Sequence, residues 1–335
     1  MADADLYARP VLSLEARPAQ SVPPCPVCAC ESARPRFALS GKALCVIVCE
    51  RCGTGRVHPL PDAATLRGFY PDEYYGEPGT KFRGLIERLV RLVGTRHIGF
   101  LSRSLRPGAR VLDVGCGRGV ILGALADRGF EVHGVEQSAE AARGADPRAK
   151  IRIAPRLADA GFDADHFDEI VIWHVLEHLV DPRGTLIEAH RILRPGGRLI
   201  VAVPNFSSAQ ARWSGAAWFH LDLPRHLFHF PVLALRELVR SCGFEIQSEH
   251  HYSLRQNPFG WIQSALNRRR GLPRNGLYRL LHERAAGGAA PFDAWTRLRL
   301  FVALILLSPP ALVAAFLEAW FRTGATVHLV ARRPG

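Results

Sequence analysis

The stretch Val111-Leu112-Asp113-Val114-Gly115-Cys116-Gly117-Arg118-Gly119 decides how the rest of this 335-residue chain is read. An apolar run ending in alternating glycines is a buried strand turning into a helix. Glycines there let the backbone approach a ligand closely at the carboxyl edge of an open α/β sheet. The spacing is GxGxG, and Val120 replaces the third glycine of GxGxxG, which counts against a dinucleotide whose pyrophosphate sits on the helix N-terminus. Asp113 at the mouth of the turn suits a ligand with an ammonium better than one with phosphates. Glu136 lies 21 residues after Gly115, at the end of the next candidate strand, where a carboxylate can accept hydrogen bonds from two ribose hydroxyls.

Outward from this turn, short apolar runs alternate with amphipathic stretches. Strands are expected at 110–113, 131–135, 150–153, 168–173, 198–203, 244–250 and 326–331. Helices are expected at 120–128, 182–193 and 231–242, with one before the first strand at about 84–104. The fold class is therefore α/β, a doubly wound, Rossmann-like seven-stranded sheet, to which the chain adds an N-terminal cysteine module and an insertion before the last strand. The expected division is a zinc ribbon at 20–60, a linker and N-terminal helix at 61–107, a core at 108–254 plus 323–335, and a basic and hydrophobic helical insertion at 255–322.

Four stretches in order, VLDVGCGRG, GVEQS with Glu136, FDEIVIWHVLEHLVDP at 167–182 and LRPGGRLIVAVPN at 193–205, resemble class I S-adenosylmethionine-dependent methyltransferases over roughly residues 80–250 and the final strand. The resemblance implies that the glycine turn, with Asp113, Gly115, Cys116, Gly117 and Gly119, holds the methionine part of S-adenosylmethionine. It implies that Glu136 holds the ribose and that Trp173 and His174 lie beside the reacting centre. Asp159 is the candidate for the adenine, on a poorer match.

Cys25-Pro-Val-Cys28 and Cys49-Glu-Arg-Cys52 are two CxxC pairs 20 residues apart, a spacing at which two knuckles converge on one tetrahedral ion. Cys25, Cys28, Cys49 and Cys52 are the expected ligands of a structural zinc, although Cys30 and Cys45 are near enough to substitute. Four thiolates close the coordination sphere, so this zinc stabilises a small module and does not activate water.

Transfer of a methyl group from a sulfonium needs a positioned acceptor and, for a hydroxyl or acidic carbon, a base. His174, His220 and His226 are the candidate catalytic residues. His178, Trp218, Asp222 and Arg225 are candidates for binding the acceptor. The segment WFHLDLPRHLFHF, 218–230, combines a flat apolar frame with His, Asp and Arg and suits a polar ring such as a sugar; its plainer alternative is a cap whose Asp222 and Arg225 pair with each other. Together with the ribbon, LDLPRHLFHF resembles methyltransferases of cell-surface polysaccharide and sugar-nucleotide pathways. The Glu-His pair at 177–178 also resembles quinone-pathway methyltransferases. HxxEH as a catalytic zinc site is disfavoured, since Glu-His after this strand is common in the resembled family without metal.

Of the net charge of +12, residues 255–335 carry +9 and the first 80 residues −1. The composition, 48% hydrophobic and 22% charged, excludes a disordered, collagen-like or disulfide-scaffold protein. Without basic charge on the ribbon or aromatics interleaved among the C-terminal arginines, nucleic acid is not an expected partner. Residues 300–317 carry no charge but contain Ser308-Pro309-Pro310. A spanning helix needs about 20 apolar residues, and the prolines should break this run into two arms. The expectation is a re-entrant or interfacial hairpin flanked by arginines at anionic lipid, with a buried helix pair as the alternative.

The sequence thus points to a cytoplasmic, membrane-associated S-adenosylmethionine-dependent methyltransferase with structural zinc. The expected acceptor is a nucleotide- or lipid-linked sugar. The alternatives are a quinone or lipid head group, a ribosomal RNA, and a methyltransferase-like protein that binds without turnover.

Overall fold

The computed structural model describes residues 22–39, 44–69, 98–103, 105–282 and 292–335. The Tyr- and Pro-rich stretch 70–75 and most of the helix expected at 84–104 lie outside them. The chain divides into two compact units. One groups the described residues before 74 with Pro204–Leu235 and His250–Val327; the other contains those of 98–203 with Arg236–Glu249 and His328–Gly335.

The second unit carries a seven-stranded sheet built from β4 (Arg110–Val114), β5 (Glu131–Glu136), β6 (Lys150–Ile153), β7 (Phe167–Trp173), β8 (Leu193–Pro204), β10 (Glu245–His250) and β11 (Thr326–Arg332). Their order is β10-β11-β8-β7-β4-β5-β6. β4 pairs in parallel with both β5 and β7, so the chain reverses its direction of winding at β4, where such sheets bind ligands. Val111, Leu112, Ile170, Ile172, Leu199 and Ile200 are fully buried, as strands covered on both faces require. All seven expected strands are present, as are the helices α2 (Val120–Ala126), α3 (Pro182–Ile192) and α5 (Val232–Ser241). Inside this apolar sheet Glu169 is wholly buried and ion-paired with Arg198, which also donates to the Leu101 carbonyl.

In the first unit, β1 (Ala33–Ala38), β2 (Cys45–Cys49) and β3 (Gly55–His58) form an antiparallel meander. A short α1 (Ala63–Gly68) follows it. The sheet continues into β9 (Phe228–His229), with Gly55 opposite His229 and Arg56 opposite Phe228. Phe37, Val46 and Val48 share one core with Phe206, Ala211, Trp218 and Leu221. A division of ribbon at 20–60 from core at 108–254 is thereby corrected: a module too small for its own core completes it with residues 206–230.

The insertion is likewise clasped to residues 206–230. From α4 (Ala209–Ser214), Gln210 donates to the Asn257 carbonyl on α6 (Asn257–Asn267) at 3.1 Å. Ser264 accepts the Phe219 N–H at 2.9 Å, and Asn267 donates to the Ala217 carbonyl at 3.1 Å. α7 (Gly276–His282) and α8 (Ala294–Trp320) complete it. The expected break at Pro309-Pro310 does not occur, since α8 is one continuous 27-residue helix, about 40 Å long. The fixed φ of proline is helical, so the cost is confined to two missing N–H donors and local crowding. Neither a hairpin nor a buried helix pair is formed. Leu300, Ala311, Ala315 and Glu318 face inward, while Leu298, Phe301, Ile305, Leu312, Phe316 and Trp320 recur at helical spacing on an exposed stripe. Among the described residues α8 is long and apolar enough to cross a membrane by length and composition.

Candidate functional site

The glycine turn leaves β4 with three residues at positive φ: Gly115 (71°), Gly117 (50°) and Gly119 (64°). The N–H groups of Gly115 and Cys116 are both spent on the Val135 carbonyl, at 2.8 and 3.2 Å, which clips the turn to the end of β5. A Cβ on Gly115 would stand 2.6 Å from Val175 Cγ2, whereas one on Gly117 would meet nothing within 4 Å. Gly115 is therefore a packing glycine and Gly117 borders open space.

Glu136, at the end of β5, reaches into that space. Its Oε2 accepts the Gly117 N–H at 2.9 Å, and its Oε1 accepts the N–H groups of Gln137 and Ser138 at 2.8 and 3.1 Å. Asp113 is buried below the turn; burial, reinforced by the charge of Glu136, pushes its carboxyl up to about 8. A cation placed here would restore the carboxylate, and a nucleoside hydroxyl pair would find Glu136 already aimed. The donor and acceptor set, with the open space at Gly117, fits S-adenosylmethionine, whose sulfonium supplies the methyl group when bound.

Cys116 does not belong to that set. Its side chain joins the core with Leu122 and would stand 2.6 Å from a Cβ on Gly134, and burial holds its thiol well above the ordinary value. Asp159 lies on a 3₁₀ turn after β6, paired with Arg156 at 2.8 Å. Trp173 ends β7 against His328, ring centroids 4.6 Å apart, and Phe100, at 6.4 Å. His174 follows at φ 54°, a conformation rare for a residue with a side chain; its N–H is held by the Ala202 carbonyl at 2.9 Å. Its Nδ1 stands 3.4 Å from the buried Glu177, and its Nε2 is buried without a hydrogen-bond partner among the described residues. Glu177, already singled out by the Glu-His pair after β7, faces the ring, whereas no motif in the sequence marks Val175, which closes on Gly115. Local backbone strain is invisible in composition, so only its position after β7 could have signalled it.

The residues of 218–230 sit in the other unit. Trp218 is fully buried, donates to Gln210 at 3.1 Å and packs on Phe206, so its expected role as a sugar platform is corrected to core packing. His220 is buried, and its Nε2 would stand 2.8 Å from a Cβ on Gly260 of α6. His226 is also buried and donates from Nδ1 to the His220 carbonyl at 2.8 Å. Asp222 and Arg225 form a two-pronged pair at 2.7 and 3.1 Å, the plainer of the two readings of this segment. His178 lies on the 3₁₀ turn Leu176–His178.

The sulfurs of Cys25, Cys28, Cys49 and Cys52 lie within 4.8 Å of one another, and Cys25–Cys52 and Cys28–Cys49 are each 3.6 Å apart. A tetrahedron with zinc–sulfur bonds of about 2.3 Å has edges of roughly 3.8 Å, so the set fits zinc. Both knuckles turn through positive φ at the fourth residue after their first cysteine, at Ala29 and Gly53. Cys30 and Cys45 fall outside the cluster.

Residues 85–249 match the methyltransferase domain family. The chain is 29% identical to the ubiquinone biosynthesis O-methyltransferase of Maricaulis maris over 191 residues, 53% of this chain and 75% of that protein. It is 30% identical to the protein of that name from Xanthomonas axonopodis over 162 residues, 44% of this chain and 68% of that protein. Matches to further relatives of that name span about half of their length or less. A solved S-adenosylmethionine dependent methyltransferase from Mesorhizobium loti is 16% identical, with 72% of this chain and 98% of that chain covered, at a TM-score of 0.43. With the glycine turn, Glu136 and the strand order already in place, this chain belongs to the class I S-adenosylmethionine-dependent methyltransferases.

Proposed function

We propose that the protein is an O-methyltransferase for an amphipathic acceptor of the quinone or lipid head-group type, working at a membrane surface. The exposed apolar stripe of α8 carries this reading, since a continuous row of Leu298, Phe301, Ile305, Leu312, Phe316 and Trp320 costs free energy in water. Arg297 and Arg299 near its start and Arg322 just past its end suit anionic head groups. The relatives named ubiquinone biosynthesis O-methyltransferase support the same acceptor class. A sugar acceptor has less support, because Trp218 and His220 are buried.

In this reading Asp113 takes the ammonium of the cofactor, Glu136 the ribose hydroxyls, and the Gly117 backbone the cofactor's edge. His174 is the base. With its Nδ1 proton directed at Glu177, its Nε2 lone pair takes the proton of the acceptor hydroxyl as that oxygen attacks the methyl carbon and the sulfur–carbon bond breaks. His178 keeps a supporting role beside His174, and no role at the acceptor is given to the buried His220 and His226 or to the Asp222–Arg225 pair. The Cys25, Cys28, Cys49 and Cys52 cluster holds zinc and takes no part in chemistry.

The test is methyl transfer from labelled S-adenosylmethionine to a prenylated catechol in anionic vesicles, run beside a sugar nucleotide. Transfer to the catechol, lost in His174→Ala with cofactor affinity intact, supports the proposal. Transfer to the sugar nucleotide alone overturns it.

A further inference from the structure

Beside the zinc knuckles the first unit holds a cavity of about 560 Å³. Arg34 and Arg36 of β1, where the strand carries a register irregularity between Pro35 and Phe37, both line it together with Arg212 of α4. Among its described lining residues Glu50 is the sole carboxylate. No ion pair joins Glu50 to any of the three arginines among the described residues, and three guanidiniums against one carboxylate leave an excess of two positive charges.

Arg36 lies over the rings of Phe37 and Phe206, at 5.3 and 5.0 Å from their centroids. These contacts orient the guanidinium but supply no countercharge. Burial, and then the charge of Arg34, hold it below its ordinary pKa. Arg212 donates to the Ser207 carbonyl, which fixes its head within the lining. Three planar guanidiniums, two of them held by their neighbours, short of acid, match the oxygens of a phosphate. The cavity is much larger than one phosphate, and Val48, Phe206 and Pro231 offer apolar surface to the remainder of a ligand.

We propose that this cavity binds an organic phosphate, a phosphomonoester or diphosphate ester, through Arg34, Arg36 and Arg212. The site is independent of the acceptor reading above, since none of these residues is assigned to cofactor binding or methyl transfer.

Calorimetry on the full-length, zinc-loaded protein with inorganic pyrophosphate and ADP is the test. Binding of either should weaken as salt rises, and the Arg34→Ala/Arg212→Ala variant should lose at least about tenfold in affinity. Its melting temperature and S-adenosylmethionine affinity should stay unchanged. Arg143→Ala, removing an exposed arginine paired with Glu140, serves as the control and should bind as the parent does. Sedimentation with phosphatidylcholine vesicles, with and without phosphatidic acid, separates the two sources of phosphate. Capture that needs phosphatidic acid and is lost in the double variant, without binding of pyrophosphate or ADP, assigns the cavity to a lipid phosphate. The proposal fails if no phosphate binds in either form, or if the double variant binds as tightly as the parent.

Discussion

The Glu136 carboxylate accepts the backbone N–H of Gly117 across 2.9 Å, so the glycine turn after β4 and the acid at the end of β5 are one piece of structure. The acid is held with its oxygens set before any ligand arrives. Glu136→Ala should retain the fold and lose between about 10- and 100-fold in S-adenosylmethionine affinity, the worth of one or two hydrogen bonds to a charged acceptor. Glu136→Gln should fall between. Equilibrium binding of labelled cofactor, with circular dichroism for the fold, reads both.

Two glycines of the same turn should respond oppositely to alanine. In Gly115→Ala the new methyl meets Val175 at 2.6 Å at a φ of 71°, and we expect about 1–3 kcal/mol of lost stability. Gly117→Ala places its methyl in open space, so denaturation should change by only about 1 kcal/mol while cofactor binding drops at least tenfold, roughly the worth of one hydrogen bond to a charged group. Urea titration and calorimetric binding on both variants would expose equal effects, which would refute the distinction.

Asp113 gives a pH dependence of definite sign. Its folded value of about 8 lies above the ordinary carboxylate value, so between about pH 4 and pH 8 the cofactor-free folded protein keeps a proton that the unfolded chain releases. The Asp113 contribution to stability therefore falls as pH rises through that window. Asp113→Asn should remove this slope, raise the melting temperature near pH 8 by about 2–4 °C per kcal/mol recovered, and abolish cofactor binding. At neutral pH, binding of the cationic cofactor to the parent should release protons, which calorimetry in buffers of different ionisation enthalpy would detect.

Metal removal should act on one unit. Burial pushes the Cys28 thiol up to about 11, and the hydrogen bond that lowers Cys25 pushes Cys52 up to about 12, so a divalent ion is needed to hold Cys28 and Cys52 deprotonated. Chelation should lower the melting temperature and increase hydrogen exchange in β1–β3 and β9, with cofactor affinity unchanged. Cys49→Ser should lose the zinc and Cys45→Ser keep about one per chain by elemental analysis. Loss of cofactor binding on chelation would contradict a purely structural ion.

The centre of the sheet was legible because its middle strands are buried on both faces: Ile170–Trp173 is wholly apolar, and Val111–Val114 is apolar but for Asp113. The zinc ligands were legible as a spacing, but the choice against Cys30 and Cys45 needed the distances. What sequence did not disclose depends on contacts between distant segments. WFHLDLPRHLFHF has the composition of a binding surface, yet β9 pairing with β3 and Trp218 meeting Gln210 turn much of it inward. Pro309-Pro310 looked like a break, but proline restrains only its own φ and the donors it lacks, and α8 runs through.

The two residues of β9 are also the last strand that the metal-binding meander acquires. During synthesis β1, β2 and β3 leave the ribosome long before Phe228 and His229 exist, so the nascent ribbon waits with the edge of β3 open. Gly55 and Arg56 cannot find their partners until the whole run of β4 to β8 has emerged, a connection whose closure entropy must be met late. A module whose three strands precede the sheet is therefore finished only after most of it, and a zinc ion held by the four cysteines would be what keeps it shaped in the interval.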